Sequence, residues 1–383
     1  MKFITSEKYE LLLKFMEENT LDILLISDSE SSKDVNLQYL SGHPMDAELL
    51  ITSSGESTLI PWDLSLAQEH AEVDSITDLV SFQFSYANIF KEYFSNTIKK
   101  SSFNVAVNEN IPFRTITLLE DQIPGIKIFR EPTKVASFLR ELRATKSDLE
   151  LKNLREAARI ASRVIADIQQ FAQNATDETE NDLAFYVRKK KSDYGAEDVA
   201  FPTLVGNSSR AHLIHCHPSS SNQKFAKPGL ALIDYGAKYR GYNSDITVPI
   251  SFGTLSEEHQ KMKDLTLKAY ETAIELIDVG FPLWKIHEAA INVFENGGFT
   301  MPHGLGHGLG LTVHDSPGIT RKPVDEYRLK HWKEEVVEEG MVFTIEPGCY
   351  KEGLGGQRLE NDVLINNNGK VEIITKSSFV EAE

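Results

Sequence analysis

Four carboxylates and a run of histidines are the residues of this chain whose types and spacing could do chemistry. Asp234 ends the apolar run Leu230-Ala231-Leu232-Ile233. A carboxylate buried there is costly unless something positive meets it. Ser244-Asp245-Ile246-Thr247-Val248 also reads as strand, and polar Lys238 to Gly241 lies halfway between. A hairpin centred on Tyr239-Arg240 sets Asp234 opposite Asp245, with Cβ atoms about 4.5–5.5 Å apart. The arithmetic repeats for Met341 to Glu346 and Leu359 to Ile365, which flank Gly353-Leu354-Gly355-Gly356. A hairpin centred on Gly353 sets Glu346 opposite Glu360. Any one of these acids alone reads as exposed or salt-bridged. Two opposed pairs of like charge would destabilise the fold on their own and point to a shared cation.

Between the two segments lies Pro302-His303-Gly304-Leu305-Gly306-His307-Gly308-Leu309-Gly310-Leu311-Thr312-Val313-His314-Asp315. Its alternate glycines permit close backbone approach, and His303 and His307 share a strand face with Leu305 and Leu309. By strict alternation His314 falls on the other face and reaches the same site through a bulge or turn. Four carboxylates and one imidazole suit two hard or borderline divalent ions, Mn²⁺, Co²⁺, Fe²⁺ or Zn²⁺, with positions left for water. A second histidine-rich stretch, His212-Leu213-Ile214-His215-Cys216-His217-Pro218, reads residue by residue as surface or hydrogen-bonded core. Cys216 and Cys349 read as small buried hydrophobes. Gly304-x-Gly306 lacks the third glycine of a dinucleotide loop, and there is no G-x-S-x-G elbow, P-loop or H-E-x-x-H.

The elements that must position these residues follow from pattern. The 383 residues, 41% hydrophobic, suggest about two domains. With 40 basic against 57 acidic residues, a net charge of −17 and no basic block, the chain repels phosphate backbones, so neither nucleic acid nor an anionic membrane is an expected partner. No run approaches the roughly 18 apolar residues of a spanning helix, and the first nineteen residues carry charge where a signal peptide is apolar. We therefore expect a cytoplasmic protein, in which two cysteines make no disulfide framework and the sequons at Asn174 and Asn207 carry no meaning. Residues 1–145 alternate strand and helix lengths and read as a small α/β domain, with a Ser-Ser-Gly-Glu hairpin turn between Glu48 to Thr52 and Ser57 to Pro61. This half offers no cluster of reactive residues.

Residues 146–383 say one thing twice. A capping box, Ser147-Asp148-Leu149-Glu150, opens a long helix to about Gln173, followed by a shorter one from Glu178 to Lys191. Thr254-x-x-Glu257 then caps another long helix, and Leu283 to Glu295 follows Gly280-Phe281-Pro282. Each helix pair leads to strands carrying two of the acids. The 112 residues from Asp234 to Glu346 nearly match the 107 from Ser147 to Thr254, as a duplication requires.

Together, Ile233-Asp234-Tyr235-Gly236-Ala237, Tyr242-Asn243-Ser244-Asp245-Ile246-Thr247, His303-Gly304-x-x-His307, His314-Asp315, Thr344-Ile345-Glu346-Pro347-Gly348 and Arg358-x-Glu360 resemble the two-domain metallopeptidases of the "pita-bread" fold. That family comprises proline dipeptidases, aminopeptidase P, methionine aminopeptidases and the metal-free creatine amidinohydrolases. The resemblance implies a mixed α/β (α+β) protein, with a creatinase-like amino-terminal domain and a pita-bread catalytic domain of pseudo-twofold αα-β repeats. It implies two divalent ions per subunit on Asp234, Asp245, His307, Glu346 and Glu360, the second aspartate and last glutamate bridging. It further implies a hydroxide shared by the metals as nucleophile, with Glu346 as general base and then acid. His217, seventeen residues before Asp234, and His314 would contact the substrate and stabilise the oxyanion. His303 and Arg358 join the substrate-contacting set, Arg358 from behind the ligands.

The separate amino-terminal domain favours the proline-directed branch, acting on small peptides with proline second, as a homodimer. Xaa-Pro dipeptidase is the first reading and Xaa-Pro aminopeptidase the second. A non-catalytic peptide-binding module is a third, disfavoured because all five ligands are present. Arg321 and Arg328, in the unaligned stretch Ser316 to Glu339, are candidates to pair with a dipeptide's free carboxylate.

Overall fold

In the computed structural model, which describes residues 3–30, 33–221 and 223–382, the chain divides into two compact units, Met1–Leu142 and Arg143–Glu383. The first is built on a six-stranded mixed sheet. Its central strand Ile23–Ser27 pairs antiparallel with Ala47–Thr52 and parallel with Phe103–Val107. Ser57–Pro61 and Ser75–Ile76 extend one side and Ile126–Ile128 the other. The strands read as unbroken apolar runs because Leu25, Leu50, Ile60 and Val105 are buried, and helix Tyr86–Thr97 packs Phe90 and Phe94 into the same core.

The second unit carries both acid-bearing segments. Its first helix, Asp148–Asn174, starts where the capping box closes: Ser147 Oγ accepts from the Glu150 amide while the Glu150 carboxylate accepts from the Ser147 amide at 2.8 Å. Helix Glu180–Asp193 follows. Ile160, Val164 and Ile168 of the first helix, with Leu183 and Val187 of the second, bury against the strands Gly229–Tyr235 and Ile246–Phe252. The second helix pair, Glu257–Glu275 and Leu283–Asn296, buries Met262, Tyr270, Ile286 and Phe294 against Val342–Ile345 and Asn361–Ile365. Two helices on a sheet thus occur twice. One expectation needs correction: the third helix is capped by Ser256, whose Oγ accepts from the His259 amide, and not by Thr254. The stretch after Ser316 includes strand Asp315–Ile319 and a short helix, Glu326–His331, capped by Asp325. Among the described residues no helix is long and apolar enough to cross a membrane.

Candidate metal centre

The first hairpin folds around a two-residue turn, Arg240-Gly241, with Lys238 paired to Asn243 and Tyr239 to Tyr242. Both turn residues have positive φ, 50° and 84°, the signature of the tight turns whose twist suits paired strands. Glu197 holds the tip, its two carboxylate oxygens accepting from the Arg240 and Gly241 amides. The centre therefore lies one residue later than Tyr239-Arg240. Thr247, not Asp245, stands opposite Asp234. Asp245 lies two residues before Thr247, hence on the same face, and its amide donates to both oxygens of Asp362 at 3.2 Å.

The second hairpin keeps the expected centre. Ile345 pairs with Asn361 and Gly348 with Arg358, which brackets Glu346 opposite Glu360. His307 comes from strand Gly306–Gly308, which joins this sheet beside Val342–Ile345. Gly308 pairs with Asp315, so residues 309–314 form the turn that the alternation argument allowed, and the His314 ring lies 4.2 Å from the His307 ring. Asp315, next to His314, is anchored by a fork from Arg143, with bonds of 3.1 and 3.0 Å and both side chains almost fully buried.

The acids and His307 converge. Ligating atoms of Asp245, His307 and Glu360 lie within 4.8 Å of one another. His307 Nε2 stands 3.6 Å from Asp245 Oδ2 and 3.5 Å from Glu346 Oε1. Its Nδ1 faces the Gly308 carbonyl at 3.1 Å, so Nδ1 carries the proton and Nε2 presents its lone pair to the space the acids surround. Asp234 is held by Arg358 Nη2 at 2.7 Å, and Glu360 accepts from Thr247 Oγ1 at 2.6 Å.

Burial first, then the charges of Glu360, Asp234, Asp362 and Glu346, push Asp245 well above the usual carboxylate range. Burial first, then Glu346 and Asp234, does the same to Glu360. Desolvation also raises Asp234 and Glu346, against the pull of Arg358 on the one and of His303 and Arg358 on the other. Two like charges about 4 Å apart repel by roughly 4 kcal/mol at an effective dielectric constant of 20, so one guanidinium cannot keep four such acids ionised together. Divalent cations would. The fit has a direct sign: Asp234 Oδ1 and Asp245 Oδ1 are buried without a hydrogen-bond partner. Ligands with bonds of about 2.1 Å to one ion lie roughly 3–3.5 Å apart, close to the His307 separations.

Each of the other expected substrate contacts has partners within the chain. His217 engages through its backbone: its amide bonds the His215 carbonyl at 2.9 Å, a γ-turn centred on Cys216, and its own carbonyl accepts from Arg210 and Ser220. His215 lies within electrostatic reach of Asp234 and His314. Arg358, buried, donates to Asp234, Thr247 Oγ1, Tyr350 Oη and the Ile214 carbonyl, and so supports the acids from behind. His303 has Nδ1 on the Gly304 carbonyl and Nε2 on Tyr350 Oη, leaving it 3.9 Å from Glu346 with both nitrogens engaged. Arg321 and Arg328 are exposed and pair with Glu295 and Asp325.

Thr247, Tyr350 and Asp362 were missed as supports. Thr247 accepts from Arg358 and donates to Glu360, and Tyr350 accepts from Arg358 while donating to His303. The available signal was their position: Thr247 and Asp362 each stand two residues after an acid, on the same strand face.

A buried acid cluster with one lone-pair imidazole, carried on two αα-β repeats, defines a metal-dependent hydrolase of the pita-bread class. Residues 152–367 match Metallopeptidase family M24 and residues 8–145 match the Creatinase/Prolidase N-terminal domain. The chain belongs to metallopeptidase family M24. It is 30% identical over 368 residues to the Xaa-Pro dipeptidase of Pyrococcus furiosus, covering 95% of this chain and 96% of that one. The crystal structure of the prolidase from Pyrococcus horikoshii superposes with a TM-score of 0.80 at 27% identity, covering 98% of this chain and 99% of the other. The X-Pro aminopeptidase from Thermotoga maritima superposes with a TM-score of 0.79 at 26% identity, covering 97% and 99%.

Proposed function

We propose that this protein hydrolyses Xaa-Pro dipeptides to a free amino acid and proline, using two divalent ions held by Asp234, Asp245, His307, Glu346 and Glu360. The observation that carries this reading is the pair of partnerless buried oxygens, Asp234 Oδ1 and Asp245 Oδ1, within a cluster that has too little positive charge of its own. When bound, the ions supply an acidified water and a polarised scissile carbonyl. The rest is work for the chain. Glu346, 3.5 Å from His307 and steadied by Thr344 Oγ1 at 3.4 Å, takes the proton of the attacking water and returns it to the departing proline nitrogen. His217 and His314, both exposed, contact the substrate and donate hydrogen bonds to the oxyanion. Burial first, then His307 and His215, lowers the His314 pKa, so it acts as a neutral imidazole whose N–H donates.

Dipeptidase action is preferred to aminopeptidase action because the first two curated relatives, covering at least 95% of this chain, are both Xaa-Pro dipeptidases. The family resemblance also supports a cytoplasmic homodimer, which light scattering of the purified protein would check. The deciding experiment follows release of the amino-terminal residue from a panel of Xaa-Pro dipeptides and Xaa-Pro-Xaa tripeptides after reconstitution with Mn²⁺, Co²⁺ or Zn²⁺. Dipeptides should be cleaved faster. Faster tripeptide cleavage would make the enzyme an aminopeptidase, and no cleavage by fully loaded protein would refute both.

A further inference from the structure

The loop that carries the second histidine-rich stretch is held by a buried ion pair with no part in the chemistry above. Strand Leu204–Gly206 lies beside the strand of Asp234, with Leu204 paired to Asp234 itself. From its end the chain runs through Asn207 and Arg210, passes His212, His215 and His217, and closes in the short 3₁₀ turn Pro218–Ser220. Backbone bonds fix this loop as far as Cys216: the Arg210 carbonyl accepts from the Leu213 amide, and the Cys216 carbonyl from the Val205 amide, both at 2.9 Å. Beyond Cys216 side chains take over. Arg210, 7% exposed, donates through Nη1 to Glu180 Oε2 and through Nη2 to the His217 carbonyl at 2.9 Å and Ser220 Oγ at 3.0 Å. Glu180, fully buried at the start of helix Glu180–Asp193, accepts from the Asn207 amide at 2.9 Å on its other oxygen. The neighbouring Asn181 adds a bond of 3.3 Å to the Pro218 carbonyl. One guanidinium thus joins both ends of the loop to the helix.

We propose that Arg210, seated on Glu180, is a positioning residue: its guanidinium fixes the backbone on which His215 and His217 stand, and so sets where the loop presents an imidazole N–H to the oxyanion. The inference rests on the hydrolysis proposed above and concerns what stands behind its histidines. A buried ion pair costs desolvation that well-packed apolar residues of like volume avoid, so stability gives no reason to hold one here. What a guanidinium supplies is a planar fork whose nitrogens hold different partners in one fixed geometry. The loop borders the acids, since His215 lies within electrostatic reach of Asp234 and the Ile214 carbonyl accepts from Arg358 at 3.3 Å, yet it supplies none of the five ligands. A displaced loop should therefore tell on turnover and leave metal binding alone. Misplacement by about 1 Å can cost roughly 100-fold in rate.

The test centres on Arg210→Lys, which keeps a cation opposite Glu180 and gives up the fork. Wild type, Arg210→Lys, His215→Ala, His217→Ala and the two double variants are loaded with Co²⁺. Each is compared in kcat and KM on an Xaa-Pro dipeptide, Co²⁺ dissociation constant, visible absorption band and thermal midpoint. For Arg210→Lys we expect kcat at least tenfold lower, KM within threefold, and Co²⁺ affinity, band and midpoint close to wild type. Combined with loss of the histidine it positions, Arg210→Lys should lower kcat by less than a further twofold, the mark of two residues acting as one. Should Arg210→Lys fail to fold, Glu180→Gln takes its place with the same expectations, since it keeps an oxygen for the Asn207 amide and removes the charge that seats the guanidinium. Wild-type kcat in the Arg210 variant, losses fully additive with both histidines, or a fall in kcat that tracks weakened Co²⁺ binding or a lowered midpoint would each overturn the inference and leave the proposed hydrolysis standing. Wild-type kcat in both His215→Ala and His217→Ala would remove this loop from the mechanism, and the inference with it.

Discussion

The two acid-bearing hairpins deliver their carboxylates to one place by different registers. Glu346 and Glu360 face each other directly across the second hairpin. In the first, Asp234 faces Thr247 and Asp245 is displaced by two residues along the same face. The rung that strict pairing would fill with an acid is filled by a hydroxyl, and that hydroxyl joins the hairpins: Thr247 Oγ1 receives Arg358 Nε at 2.8 Å and donates to Glu360 at 2.6 Å. The stagger thus gives up symmetry and gains a tie between halves more than a hundred residues apart. It also separates the burdens, since of the four clustered acids only the two aspartates of the first hairpin carry a buried oxygen without a partner.

The comparison breaks hardest at the acids whose pKa values are pushed highest. Asp245→Ala or Glu360→Ala should abolish metal uptake, measured by elemental analysis, and proline release with it. Wild-type turnover in either variant would remove the centre from the mechanism. A chelator should silence the wild-type enzyme in the same way, and added metal should revive it.

Thr247→Val comes next, because it keeps the shape of the tie and deletes its hydrogen bonds. Outer partners of this kind are worth about 10- to 100-fold in metal affinity or activity. A variant that folds normally by circular dichroism yet binds metal as tightly as wild type would mean that the hairpins need no such link.

The smallest expected effect is one of pH and concerns support of the second hairpin's neighbour. His287, 3% exposed, accepts the Leu305 amide on Nδ1 at 3.1 Å, two residues before His307. Burial, aided slightly by Arg321, lowers its pKa to about 4. Since the unfolded value is near 6.5, the unfolded chain binds the extra proton first as pH falls. Stability from this group is complete above pH 6.5 and drains away toward pH 4. His287→Gln, which can still accept but does not titrate, should flatten the fall of the thermal midpoint over that window. An unchanged slope would show that other groups govern it.

Local chemistry made much of this legible. The Ser147 capping box, the apolar faces of the two long helices and the glycine-centred second hairpin are each decided within a few residues, and the combined motifs pointed to the family. The departures share one cause. Arg240 in the left-handed region is not announced by its side chain, and it moves the first hairpin's centre by one residue, enough to replace Asp245 by Thr247 opposite Asp234. A hydrogen bond across Cys216 ties the His217 amide to the His215 carbonyl, a local turn that residue spacing does not announce. Arg358 is charged and two residues from a ligand, but which partners take its donors depends on segments up to 144 residues away.

The amino-acid order by itself determined which side chains could form a cation site, because residue type and strand or helix period are short-range properties. Tertiary structure decided which of them meet, which stay solvated and which are spent holding others in place. Those outcomes depend on turn geometry and on burial between distant segments, where a shift of one residue changes every partner.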